Sequence, residues 1–165
     1  MHIDRLERYY IVIVAVVLGA FFAAIMAAML VFGLRLPSSP DSFVNPLALG
    51  ETRFAEPGLR DMGGNRYELT MLAAMWRFDA GSDEQDADGN DIVHIPLGAQ
   101  VTFYVTSSDV THGFIIERHN ANIQVLPGHV GRVTVTFNHP GEYKILCHEY
   151  CGAGHHRMHA TIIVS

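Results

Sequence analysis

An all-β sandwich preceded by one membrane-spanning helix is the architecture this sequence predicts, and three observations predict it. Residues 9–34 run for 26 positions without a charged side chain. From residue 65 onward the chain breaks into short apolar runs bounded by turn residues, including Pro127-Gly128 and Pro140-Gly141. Between these regions, residues 37–64 are rich in proline and glycine and follow neither a helical nor an alternating apolar period. The expected organisation is an anchor over residues 1–36, a linker over 37–64 and a β-domain over 65–165.

The apolar run would form a helix of ~39 Å at ~1.5 Å per residue, enough to cross a ~30 Å hydrocarbon layer with some tilt. A cleaved signal peptide would carry an apolar core of only ~7 to 15 residues. No small-x-small pattern ends the run, so an uncleaved anchor is expected. Tyr9 and Tyr10 stand where aromatic side chains settle at a membrane interface. Arg5 and Arg8 precede the run and Arg35 follows it, a bias that places the amino terminus inside and the β-domain outside the cytoplasm. Ala15, Gly19, Ala20, Ala23, Ala24, Ala27 and Ala28 form a small-residue stripe. It suits either close approach of another helix or plain lipid exposure.

Strands are expected over residues 67–76, 92–96, 100–106, 114–117, 121–125, 131–137, 142–146 and 161–164. Residues 73–75 leave a helical alternative open for the first of these. Several short strands joined by turns indicate a sandwich or barrel. Residues 79–91 hold six acidic side chains and are expected to project into water, because carboxylates resist unpaired burial. Asp86-x-Asp88 resembles part of a calcium loop, but its glycine is misplaced and no glutamate closes it. The loop reads either as a solvated hairpin tip or as an acidic docking patch for a basic partner.

The formal net charge is −6 with ten histidines counted neutral. No basic run or aromatic-studded basic patch is present, which gives nucleic-acid binding no support. Phosphate-binding, dinucleotide-binding and nucleophile-elbow motifs are also missing.

Chemistry concentrates in Cys147-His148-Glu149-Tyr150-Cys151-Gly152-Ala153-Gly154-His155-His156-Arg157-Met158, between two strand-like runs. Thiolate and thioether donors select soft metals, and imidazole suits both copper and zinc. The spacing Cys-x3-Cys-x3-His-x2-Met differs from the Cys-x2-Cys knuckles of structural zinc. A mononuclear blue-copper site needs a single cysteine. Two thiolates suit a bridge between two coppers, which then require a further imidazole. His112 is the candidate, delivered by residues 106–111 after the strand at 100–106. In an exported domain the two cysteines could instead form a disulfide. Ligation requires them reduced and ionised.

The succession His112-Gly113-Phe114, Leu126-Pro127-Gly128, Pro140-Gly141-Glu142-Tyr143 and the cysteine hairpin resembles subunit II of the heme-copper cytochrome c oxidases, over nearly the whole chain. The resemblance implies a cupredoxin-like Greek-key sandwich bearing a dinuclear copper centre, CuA, in loops at one end. By position, Cys147 and Cys151 would bridge the two coppers, with His112 and His155 as terminal ligands. Met158 and the backbone carbonyl of Glu149 would be the weak axial ligands. His155 alone, not His156, satisfies the spacing from Cys151 and to Met158. The family also implies an aromatic electron-entry route, for which Trp76 and Phe78 are candidates, and a second, non-redox metal at the Glu149 side chain.

The resemblance further implies an electron-entry subunit in a prokaryotic plasma membrane, with its sandwich on the periplasmic side. Cytochrome c or a small copper protein would donate electrons. A heme-bearing subunit I, with a small extra membrane subunit as a further candidate partner, would reduce oxygen to water and pump protons. No acid, base or open metal position for oxygen chemistry stands in this chain, so that chemistry belongs to the complex. A single anchor resembles the B-type (ba-type) oxidases, whereas A-type relatives carry two helices. Nitrous-oxide reductase has a similar hairpin in a much longer soluble chain, and quinol-oxidase subunits share the fold without the ligands. A membrane-tethered copper carrier would keep soft donors yet release copper readily. Of the other histidines, His156 is expected at solvent or behind the site, and His148 pointing away from it. His159 is expected toward a membrane partner, and His94, His119, His129 and His139 at the surface.

Overall fold

The computed structural model describes residues 4–32 and 43–165. It divides into a helical unit and a β unit. Helix α1 spans Arg5–Phe32, beginning inside the polar lead-in. It is long and apolar enough to cross a membrane, and none of its apolar window is buried by protein. The expected helix end near Leu34, the flanking Arg35 and the start of the linker at residues 37–42 lie outside the described residues.

Among the described residues the second unit has ten strands: β1 (Gly58–Asp61), β2 (Arg66–Ala74), β3 (Arg77–Asp79), β4 (Ile92–Ile95), β5 (Gln100–Ser107), β6 (His112–Ile116), β7 (Asn122–Val125), β8 (Gly131–Thr136), β9 (Gly141–Leu146) and β10 (His159–Val164). One sheet runs β1-β2-β5-β8 with β3 paired to β2, and the other runs β4-β10-β9-β6-β7. The β2–β5 and β4–β10 pairs are parallel, and the remaining pairs are antiparallel.

Alternation explains the layering. Val101, Phe103 and Val105 of β5 are buried, whereas Thr102 and Tyr104 between them are partly exposed. Leu69, Met71 and Ala73 of β2 repeat the same period of two, which settles residues 73–74 as strand. Phe103 and Phe114 contact each other across the sheets at 5.6 Å between ring centres. Phe78 meets Phe114 edge-on at 5.9 Å. Isoleucines 116, 145 and 162 fill the same core.

Three expectations need correction. Strand β1 lies in the stretch read as irregular chain, along with two short 3-10 turns, Leu49–Glu51 and Arg53–Ala55. Its signal was weak because it is a four-residue edge strand whose residues are only partly buried or exposed. The loop from β3 to β4 does not simply project into water: Asp91 is 2% exposed and Asn90 5%. Burial is tolerated because the Asp91 carboxylate accepts from the Ala80 N–H at 2.7 Å and the Gln85 amide at 3.0 Å. His119 is half-buried, its ring packed against Phe137 and Tyr143.

Phe114, on the second sheet, packs against Phe78 and Phe103 of the first and is fully buried. Phe114→Ala should therefore destabilise the sandwich by about 3–5 kcal/mol. Denaturant unfolding followed by the fluorescence of Trp76, the sole tryptophan, would measure the loss.

Candidate metal centre

Register brings distant residues together. Strand β6 pairs antiparallel with β9 through Ile115↔Leu146 and Ile116↔Ile145. Continuing that register outward carries the start of β6, His112, alongside the hairpin that leaves β9 at Cys147. Gly113 lies against the ring of His148 so closely that a Cβ there would fall 2.5 Å from it. The return leg is tied by the Cys147 N–H donating to the Met158 carbonyl at 3.2 Å, and a 3-10 turn, His155–Arg157, closes the loop.

Around this frame the donor atoms converge. Cys147 Sγ lies 3.7 Å from Cys151 Sγ, and both cysteines are free. That separation is far beyond the ~2.05 Å of a disulfide bond. Cys147 Sγ is 3.9 Å from His112 Nδ1 and 3.2 Å from the Glu149 carbonyl oxygen. Cys151 Sγ is 3.6 Å from His155 Nδ1 and 3.6 Å from Met158 Sδ. His112 is 0% exposed, Met158 2%, Cys151 5% and Cys147 9%, so bulk water is kept from the sulfurs. His112, Cys147 and Cys151 present potential ligand atoms all within 4.8 Å of one another. Two thiols, two imidazoles, a thioether and a carbonyl are a donor set for soft metal, and they fit copper.

One functional residue is missing from the sequence reading. Asp109 Oδ1 sits 2.8 Å from His112 Nε2, leaving Nδ1 toward the sulfurs. The carboxylate is itself held by N–H groups of Met75 at 2.7 Å and Val110 at 2.6 Å. Burial would raise its pKa, but the bonds to His112, Met75 and Val110 lower it overall. A carboxylate fixing the far nitrogen of a ligating histidine is a common way to set ring orientation. Its position three residues before His112 was the available signal.

The thiols share their protons unevenly. Burial opposes ionisation of Cys147, yet hydrogen bonds from His112, the Gly113 N–H, His155 and Cys151 outweigh it and bring the pKa down to about 6. Cys151 is pushed up to about 12 by burial and by the neighbouring Cys147 charge. The pair thus holds one thiolate near neutral pH.

The remaining candidates separate clearly. Trp76 is 39% exposed, and its indole N–H donates to the Cys151 carbonyl at 3.1 Å. Its ring lies over Gly154, where a Cβ would come within 2.4 Å. Phe78 is fully buried in the core and offers no surface to a partner. His156 is exposed, and Tyr150 is exposed beside His155. His148 is on the outer side of Gly113, 3.7 Å from the Glu149 carboxylate. His159 does not stand free toward a partner: its Nε2 is 2.8 Å from Asp86 Oδ2. His94 pairs with Glu84 at 2.8 Å, while His129 and His139 are exposed.

Fold and site together define a membrane-anchored, cupredoxin-like domain with a buried soft-donor centre at one end. Residues 61–165 match the model of the cytochrome c oxidase subunit II periplasmic domain, and the chain belongs to that family. Two subunit 2 sequences of cytochrome c oxidase from Thermus thermophilus are each 41% identical over 102 residues, or 62% of this chain. The match spans 68% of one and 55% of the other. A solved heme-copper terminal oxidase dimer contains a similar chain, with TM-score 0.72 and 33% identity over 98% of this chain and 100% of that one. The periplasmic domain of subunit II from Bradyrhizobium japonicum shares the fold, with TM-score 0.51 and 19% identity over 59% of this chain and 83% of that one.

The thiol arrangement makes a pH prediction. In the reduced, metal-free protein, ultraviolet thiolate absorbance should rise by one thiolate as pH increases through about 6. The second thiol should stay protonated until about 12. Because ligation needs thiolates, metal uptake should weaken as pH falls below the lower value.

Proposed function

We propose that this chain is the copper-bearing, electron-receiving subunit of a membrane-bound terminal oxidase. The observation that carries this reading is the pair of unbonded, buried sulfurs 3.7 Å apart, ringed by two imidazoles, a thioether and a carbonyl. Cys147, Cys151, His112 and His155 would hold two coppers. Met158 and the Glu149 carbonyl complete the set. Bound there, the copper pair supplies a one-electron carrier.

The protein's own residues supply the rest. Asp109 holds the His112 ring, so its ligating nitrogen keeps one orientation. Burial of both cysteines, His112 and Met158 excludes water. A site fixed by the β6–β9 register and by the return bond from Cys147 to Met158 has little freedom to rearrange, which suits rapid electron exchange. Trp76 joins the surface to the centre, since its exposed indole is hydrogen-bonded to the Cys151 carbonyl. An electron donor, cytochrome c or a small copper protein, docks over that side.

From here electrons pass to a heme-bearing subunit I, where oxygen is reduced to water and protons are pumped. The described α-helix serves as an anchor in a prokaryotic plasma membrane, with the sandwich on the periplasmic side. Membership of the subunit II family and the similarity to a chain of a heme-copper terminal oxidase support the reading.

The test is electron paramagnetic resonance on the reduced, copper-loaded full chain after one-electron oxidation. Hyperfine structure spread over two equivalent copper nuclei is expected, and Cys151→Ser should abolish it. Splitting from a single nucleus in the unaltered protein, or an unchanged spectrum in Cys151→Ser, would overturn the dinuclear reading.

A further inference from the structure

The loop between β3 and β4 is bound to the leg of the hairpin that carries Met158. Asp86 is the hinge of that attachment. Its Oδ1 accepts from the N–H groups of Asp88 and Asn90, both at 2.9 Å, and the Asn90 amide lies 3.2 Å from each carboxylate oxygen. The turn is closed by Asp86 N–H donating to the Asn90 carbonyl and Gly89 N–H to the Asp86 carbonyl, at 2.9 and 3.0 Å. A carboxylate held by so many donors has one orientation, and it directs Oδ2 at His159 Nε2, 2.8 Å away.

His159 passes the constraint inward. Its other nitrogen, Nδ1, lies 2.9 Å from the carbonyl oxygen of Arg157. That carbonyl belongs to the peptide bond that enters Met158. With an N–H donated to each of these two acceptors, the ring reaches back across Met158 and ties the peptide before it to a carboxylate from another element. The loop base is fixed to the same strand, because the Thr161 N–H donates to the Asp91 carbonyl at 2.9 Å. On the other side, Met158 is held by its N–H to the His155 carbonyl and by its carbonyl to the Cys147 N–H, both at 3.2 Å. Among the described residues, the Asp86–His159 link is the hold on the Arg157–Met158 peptide that comes from outside the hairpin and its strand.

We propose that Asp86, acting through His159, is a positioning residue for Met158, so that the acidic loop sets how firmly the thioether is presented to the metal. The loop works as a strap across the outgoing leg of the hairpin. Asp86 touches neither metal nor thioether, and its effect is transmitted through one imidazole and one peptide bond. The proposal rests on Met158 being a copper ligand.

The experiment uses the full chain in detergent, copper-loaded, with Asp86→Ala, His159→Ala, the double variant and Met158→Leu compared against the unaltered protein. The readouts are the reduction potential, the copper hyperfine pattern and the rate of copper loss to a chelating dye. Asp86→Ala and His159→Ala should each move the potential in the direction taken by Met158→Leu, by a smaller amount. Each should also hasten copper loss by up to roughly tenfold, the low end of what outer partners of metal ligands contribute. The double variant should do no more than either single one, since both break the same link. If Asp86→Ala disturbs folding of the loop, His159→Ala leaves the Asp86–Asn90 turn whole and carries the test alone. A Met158→Leu shift with both singles at the unaltered potential would overturn the strap while leaving the ligand reading intact. No change in Met158→Leu itself would overturn the ligand reading and the strap together.

Discussion

The antiparallel register of β6 against β9 is the constraint on which the rest of the molecule depends. It is defined by only two paired positions, Ile115↔Leu146 and Ile116↔Ile145, yet it determines which side chains meet at the sandwich end. A slip of one residue would turn every β6 side chain to the opposite face, sending His112 away from the cysteines and Phe114 out of the core. The same hydrophobic packing that stabilises the domain thus holds the site. Phe114, Ile116 and Ile145 are all fully buried, so the alignment is secured by apolar surface removed from water rather than by the polar groups it serves.

Acidic residues have an unexpected share in this arrangement. The chain carries a formal charge of −6, and much of its acidity looks from composition like a solvated surface. Yet Asp109, Asp86 and Asp91 each accept from at least one backbone N–H and at least one side-chain partner. They act as short rigid connectors between strands and loops. Among the described residues, no buried side-chain nitrogen or oxygen lacks a hydrogen-bond partner. A carboxylate is well suited to this role because it can accept several bonds at once without a conformational search of its own.

Much of the sandwich was legible in the sequence because its inner strands alternate or are uniformly apolar, as in β2, β5 and β10. The donor residues of the hairpin were legible for another reason: they lie within twelve positions, so composition and spacing alone put them on one loop. His112 stood out only by residue type and by its place after a strand. What the sequence hid depends on tertiary pairing. Strands β1 and β3 are short and gain their definition from β2. Asp109 and the Asp86–His159 contact join residues by charge and hydrogen bonding, which leave no periodic trace. Phe78 and Trp76 look equivalent two residues apart, but the fold sends one into the core and leaves the other partly at the surface.

The order of strands in the second sheet bears on how the molecule matures. Strand β10 sits between β4 and β9, and β4 is joined to the sheet through β10 alone, with Ile92 opposite Thr161. Contacts between residues so far apart in sequence close late, because the intervening chain must first be ordered. Once the sheet has closed, both strands of the hairpin that carries Cys147 and Cys151 lie inside it with a neighbour on each side, so neither leg of the metal loop hangs from a free edge.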